Sequence, residues 1–212
     1  VTTEKKNYKG SISVYDAELD LVFKLDSASR FVSDAYVLDD NKSLAVVTLG
    51  QEDGVFVSNI VIYSLSVTDE NREDSAADGT EVTVKPSTDY DIENGLVIAI
   101  EQQGKQIVTV SDTCLTFADL DGQVTASVPY GNDFMRGYAL TGDGCVALLL
   151  NRYQSGSGGR LQTIGTDGAV IAELDVNQEV LDISAAGRYL AVLYADSLVL
   201  YNQELQVYAS LQ

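Results

Sequence analysis

The chain of 212 residues has no histidine, no tryptophan, one methionine, two prolines and two cysteines, and only 13 basic residues stand against 32 acidic ones. The missing histidine removes the most common general base and the most common metal ligand, so histidine-dependent catalysis and histidine metal sites are excluded. The formal charge of −19 excludes a nucleic-acid partner, because neutralising phosphates takes clustered Lys and Arg. No apolar run reaches the ~18 residues of a membrane span, and no basic amphipathic stretch suits a membrane surface. The chain itself is therefore expected to make no membrane contact. It starts at Val1 and its one methionine is Met135, from which a segment upstream of Val1, carrying any signal or anchor, is expected.

Hydrophobic residues make up 45% of the chain, enough to bury a core, so the acidic excess belongs on a folded surface rather than in a disordered tail. Cys114 and Cys145 both lie in apolar, strand-like runs and read as two small buried hydrophobes rather than a disulfide or redox pair.

Helical periodicity is almost absent. Short runs rich in Val, Ile, Leu and Tyr recur instead, at 11–15, 44–49, 59–65, 96–100, 145–150, 189–194 and 198–201, separated by turn residues. Asp121-Gly122, Asp143-Gly144 and Asp167-Gly168 are hairpin turns in which glycine takes the positive φ of a tight reversal. A larger unit repeats. The stretch 38–46 aligns with 184–192 and more loosely with 140–148, each a strand end, a turn and an apolar strand. Tyr15, Tyr63, Phe117, Ile164 and Tyr201 close an alternating strand in each unit, at spacings of 48, 54, 47 and 37 residues. Self-similarity at this period, with four strands a to d per unit, predicts an all-β chain of β-propeller blades. The expected layout is a half-blade of strands c and d at 10–25, then blades at 32–85, 90–128, 134–174 and 180–211, with an acidic insertion at 67–79. That is about four and a half blades, which fits part of a larger propeller.

The phrases Asp40-Asn41-Lys42-Ser43-Leu44-Ala45-Val46 and Ala186-Gly187-Arg188-Tyr189-Leu190-Ala191-Val192 resemble the S-P-D-G-K-x-L-A-V phrase of WD40-like and TolB-like propellers. Phe31-Val32-Ser33, the stretches 49–54 and 58–63, and the tail 181–192 are similar to an uncharacterised propeller family of clostridial Gram-positive gut bacteria. The resemblance covers nearly the whole chain. It implies an extracytoplasmic propeller anchored to the cell membrane by an N-terminal segment, and it brings no catalytic residues with it. Departures from true WD40 repeats are the missing tryptophan and the missing Gly-His element. The absent tryptophans also argue against the quinone cofactor of some propellers, and no cofactor is expected.

Carboxylates are the first candidates for chemistry, since a facing pair can hydrolyse a glycosidic bond. Asp34, Asp91, Asp133 and Asp182 fall near strand a, the innermost strand of a blade. Asp34 and Asp182 are the candidate channel pair, against the simpler reading that they line a wet channel or bond to backbone amides. Asp119-Leu120-Asp121-Gly122 lacks the alternating oxygens and closing acid of a calcium loop and reads as a hairpin turn; no metal site is assigned. No Ser-x-x-Lys and no phosphate loop occurs, and 155–159, Gly- and Ser-rich, reads as a hairpin tip. Surface recognition remains. The b–c and d–a connections share one end of each blade and carry Gln51, Glu52, Asp53 and Phe56, then Asp89 and Tyr90, Tyr130, Asn132 and Asp133, and Arg152 and Tyr153. Phe56, Tyr90, Tyr130, Arg152 and Tyr153 are the candidate binding residues, since aromatics and arginine anchor interfaces. The expected function is a non-enzymatic module at the bacterial cell envelope that binds a protein or a glycan. A carbohydrate-active hydrolase or lyase using the channel carboxylates, and a structural spacer, are the alternatives.

Overall fold

The computed structural model describes residues 2–5, 8–66, 72–74, 82–92, 95–153 and 158–212. These residues form strands, turns and bends only. No described helix is long and apolar enough to cross a membrane. The chain divides into two compact units, Val1–Gln102 with Leu120–Gln123, and Gln103–Asp119 with Val124–Gln212.

The first unit opens with a three-stranded antiparallel sheet, β1 (Thr2–Lys5), β2 (Tyr8–Tyr15) and β3 (Leu21–Ser27). The two strands expected in 10–25 thus gain a third on the N-terminal side. A four-stranded sheet follows, from β4 (Phe31–Val37), β5 (Ser43–Glu52), β6 (Val55–Ser64) and β9 (Thr88–Ile92), in the order β4-β5-β6-β9. Between β6 and β9 stands a separate ribbon of β7 (Arg72–Asp74) and β8 (Val82–Val84). The rest of the acidic insertion, 67–71 and 75–79, lies outside the described residues, as do 155–157.

Three more four-stranded sheets follow in chain order. They are β10 (Val97–Gln103), β11 (Gln106–Ser111), β12 (Cys114–Asp119) and β13 (Val124–Pro129); β14 (Phe134–Leu140), β15 (Cys145–Asn151), β16 (Gly159–Gly165) and β17 (Val170–Val176); and β18 (Val180–Ala186), β19 (Tyr189–Tyr194), β20 (Leu198–Tyr201) and β21 (Val207–Leu211). Each runs a-b-c-d with neighbours in sequence paired, which is the blade arrangement.

The middle strands carry the core. In β11, β12 and β15 nearly every residue is buried, whereas β13, β14 and β17 largely alternate. A strand covered on both faces needs consecutive residues that tolerate burial, which is why β15 reads as a nearly unbroken apolar run and why β11 and β12 bury Thr109 and Thr116 among their apolar residues. In the first unit Ile12, Phe23 and Leu25 pack with Leu44 and Val46, joined by Leu65 and Val84. In the second, Ala147, Leu149 and Leu161 of the fourth blade pack with Ile183, Leu190, Val192, Tyr194, Tyr201 and Leu205 of the fifth. Each such aliphatic side chain contributes roughly 1.5–3 kcal/mol on burial.

Two register shifts recur. Strand a slips by one residue against strand b between Val32 and Asp34, Met135 and Gly137, and Val180 and Asp182. Strand d slips against strand c opposite Tyr15, Ala118, Ile164 and Tyr201. The second series places Ala118 where the repeat spacing puts Phe117, so the third unit is offset by one residue from the sequence alignment. Each shift leaves one residue unpaired and adds local twist.

Candidate functional site

Asp34 and Asp182 both follow the strand-a bulge, and each carboxylate serves the turn of chain it stands on. Asp34 Oδ1 accepts from the Ala35 amide at 2.8 Å, and Asp182 Oδ1 from the Ile183 amide at 2.9 Å. This repeats one structural device in two blades, as a bulge frees backbone groups that a short acidic side chain can satisfy. Asp133 is paired with Arg160 at 2.9 Å, and Asp91 accepts from Asn59 Nδ2 at 3.0 Å. All four carboxylates thus have local structural work.

The five candidate binding residues divide between the two units. Phe56 and Tyr90 belong to the first unit, and Tyr130, Arg152 and Tyr153 to the second. Phe56, 53% exposed, stands beside the β5–β6 turn, where Asp53 and Gly54 both take positive φ. Behind that hairpin Arg30 donates to Thr48 Oγ1 at 3.0 Å and to the Val57 carbonyl at 2.6 Å, and pairs with Glu52 at 3.3 Å. Tyr90 lies within β9, opposite Ile60, and is buried. The d strand of the second blade falls beyond the insertion, so Asp89, Tyr90 and Asp91 sit on that strand and not on a connection. Tyr130 is only 3% exposed, and its hydroxyl is buried without a hydrogen-bond partner. Burial, with Cys114 and Asp112 adding to it, pushes its phenol pKa upward. It fills the blade rather than presenting itself to a ligand. Arg152 reaches Asp175 at 2.9 Å, and Tyr153, next to it in sequence, is 71% exposed.

A more complete site stands at the other end of the fifth blade, on the a–b and c–d turns. Arg188 ends the β18–β19 turn and Tyr189 opens β19, Asn202, Gln203 and Glu204 lie in the β20–β21 turn, and Tyr208 follows on β21; together they line an open groove of about 390 Å³. That volume lies within the range of small-ligand clefts, about 300–1,000 Å³. The Tyr189 and Tyr208 rings lie 4.7 Å apart, tilted by 43°, and the Arg188 guanidinium sits 5.5 Å over Tyr189. Tyr208 is the residue the strand-d bulge leaves without a cross-strand partner, and it is 65% exposed. The nearby Tyr189 hydroxyl pushes its phenol pKa upward, and Arg188 opposes this.

Both turns are fixed from behind. The Gly187 carbonyl accepts from the Gly142 amide at 2.7 Å, and the Gln203 carbonyl from Thr163 Oγ1 at 2.6 Å, so each is tied to the fourth blade. Within the c–d turn Asn202 accepts from the Gln206 amide at 2.8 Å, and Leu205, at φ 56°, drops its side chain into the core. A groove whose walls are held this way loses little freedom when a ligand arrives. Weighing only the b–c and d–a ends of the blades overlooks it. Arg188-Tyr189 and the bulge-forming Val207-Tyr208 are the signal that the sequence offers.

Neither cysteine pairs: both are free and buried. Thr141 Oγ1 lies 3.1 Å from Cys145 Sγ, and burial pushes that thiol's pKa up. Among the described residues no three Cys, Asp or Glu side chains gather as a metal site.

Blades of four antiparallel strands in sequential order make this a β-propeller protein. The chain belongs to the family of unknown function DUF5711, whose model matches residues 1–207. No curated protein matches it. Among solved structures it is similar to Kluyvelomyces marxianus Hsv2, with TM-score 0.58 and 14% identity over 91% of this chain and 53% of that one. It is similar to the Dos1 propeller, at 0.58 and 13% over 95% and 53%, and to the Neurospora crassa Pan2 WD40 domain, at 0.52 and 12% over 85% and 49%. The chain spans about half the length of these solved propellers, and at such identities the likeness concerns the fold.

Proposed function

We propose that this chain is a non-enzymatic recognition module, displayed outside the cytoplasm and held at the cell envelope through a segment upstream of Val1, that binds a protein or a glycan. The observation that carries the reading is the groove of Arg188, Tyr189 and Tyr208, an aromatic pair of one exposed and one half-buried ring beside turns anchored to the neighbouring blade. Exposed tyrosine and arginine on a fixed frame are the side chains that anchor interfaces. The carboxylates of the hydrolase alternative cap amides or pair with neighbours in this fold, so they lend that reading no support.

The test is a glycan array together with an in-cell cross-linking pull-down, run on wild type and on Tyr208→Ala, Arg188→Ala and Tyr153→Ala. Loss of the captured partner in the first two and retention in the third supports the groove. Wild-type capture by both groove variants rejects it, and loss in Tyr153→Ala alone moves the site to the β15 end. Protease shaving of intact cells, with cleavage of the native gene product, checks the location.

A further inference from the structure

The groove of the fifth blade is not an apolar slot. Beside the two rings stand planar polar side chains: the Arg188 guanidinium, the amides of Asn202 and Gln203 and the Glu204 carboxylate. Gln203 Nε2 donates to Glu204 Oε1 at 3.4 Å, and Asn202 Nδ2 to Gln206 Oε1 at 3.2 Å, so these groups are arrayed along the rim with hydrogen-bonding capacity left for a ligand. Planar amide, carboxylate and guanidinium groups each offer two hydrogen-bonding atoms at a spacing that matches adjacent hydroxyls. An exposed ring face takes the C–H face of a sugar ring, and Tyr208 is 65% exposed, with Tyr189 against its ring at 4.7 Å. The best-buried peptide anchors sit in desolvated apolar pockets, whereas four of the six residues lining this open groove are Arg, Asn, Gln and Glu.

Charge narrows the choice. The chain carries −19 overall, which repels polyanions at long range. Of the residues lining the groove, Arg188 carries a positive charge and Glu204 a negative one. An uncharged ligand loses nothing to that field.

We propose that the groove lined by Arg188, Tyr189, Asn202, Gln203, Glu204 and Tyr208 binds an uncharged oligosaccharide, with one pyranose ring stacked on Tyr208 and its hydroxyls held by the polar rim. The proposal rests on the groove being the recognition site. Gly187 and Gln203 set the geometry through their bonds to the fourth blade, so the binding surface is formed before the sugar arrives.

The experiment is calorimetric and NMR titration of the chain with hexaoses of glucose (β-1,4 and α-1,4), xylose, mannose and N-acetylglucosamine. Heparin and polygalacturonate are the anionic controls, and an arginine- and proline-rich peptide is the peptide control. The expected result is one-to-one binding of at least one neutral hexaose. Affinity falls about tenfold or more in Tyr208→Ala, as loss of an anchor residue requires. It stays within about threefold in Tyr208→Phe, which keeps the ring, and is unchanged in Tyr153→Ala. Circular dichroism melts of each variant confirm folding. The proposal is overturned if no neutral hexaose binds, if only the anionic polymers or the peptide bind, or if binding persists in Tyr208→Ala. When sugars fail but cross-linked capture of a protein is still lost in Tyr208→Ala and Arg188→Ala, the glycan assignment falls and the groove stands; when capture also ignores these variants, both fall.

Discussion

Two leucines occupy the same left-handed position in two c–d turns and do opposite things with it. Leu19 has φ 69° and is 79% exposed, while Leu205 has φ 56° and is 8% exposed. The equivalent turns of the third and fourth blades use Gly122 and Gly168, at φ 80° and 78°. An L side chain there costs roughly 1–2 kcal/mol, and only Leu205 offsets it by burial. Leu19→Gly therefore stabilises the fold by about 0.5–1 kcal/mol after the added freedom of the unfolded chain is counted. Leu205→Gly destabilises it by about 2 kcal/mol or more. Chemical denaturation of both variants checks the pair, and equal signs would refute this account of the two turns.

Asp40 shows how a turn depends on ionisation. Its Oδ1 accepts from the amides of Lys42 and Ser43 at 2.7 and 2.9 Å, and its Oδ2 from Ser43 Oγ at 2.9 Å. The Lys42 amide, foremost, holds the carboxyl below its ordinary value, against a smaller desolvation that raises it. The unfolded chain takes up this proton first as pH falls, so the contribution is complete above the ordinary carboxylate range and is lost as pH drops through the folded value. Asp40→Ala is expected to cost about 1 kcal/mol at pH 7, from the turn bonds, and progressively less in acid. Melting curves of wild type and variant from pH 7 to 3 would converge; parallel curves would show that the charge is irrelevant.

At the scale of the element, the blade-to-blade turn contact governs the groove. A Cβ placed on Gly142 would stand 3.1 Å from the Gly187 Cα, backbone that has no flexible end to yield. Gly142→Ala is thus expected to destabilise by about 1–3 kcal/mol, as overpacking does, and to shift the amide resonances of Arg188 and Tyr189. Unperturbed resonances at these two positions would disprove the coupling. Elements differ in how far the sequence discloses them. Strands β5 and β15 are legible because a strand covered on both faces reads as a run of apolar residues, and the Asp-Gly turns because only glycine takes those φ values cheaply. Strand β9 is not, since Thr88–Ile92 is short and lies past a long insertion; pairing with Ser58–Ile62 identifies it. Tyrosine carries no directional signal either: Tyr130 and Tyr208 look alike in sequence, yet one is swallowed by its blade and the other is extruded by a bulge. The groove joins residues 188–189 to 202–208 through a one-residue register shift, which local patterning does not encode.

For the whole molecule the largest electrostatic influence outside the core is self-repulsion. Of 13 basic side chains, those in described ion pairs include Lys24, Arg30, Arg152 and Arg160, and their pairs are largely at the surface, where each is worth about 0–1 kcal/mol. The acidic residues outnumber the basic ones more than twofold, so most carboxylates have no cation to pair with. Such repulsion acts over roughly the Debye length, ~10 Å at 0.1 M salt and ~3 Å at 1 M. Screening therefore relieves the folded state more than the expanded unfolded chain, whose charges lie farther apart. Raising NaCl from about 0.01 to about 0.5 M at pH 7 is expected to raise the melting temperature by several degrees, about 2–4 °C for each kcal/mol recovered. Most of the rise should come below about 0.2 M, where screening changes fastest. A melting temperature that stays flat or falls with salt would mean that the surface ion pairs outweigh the net charge.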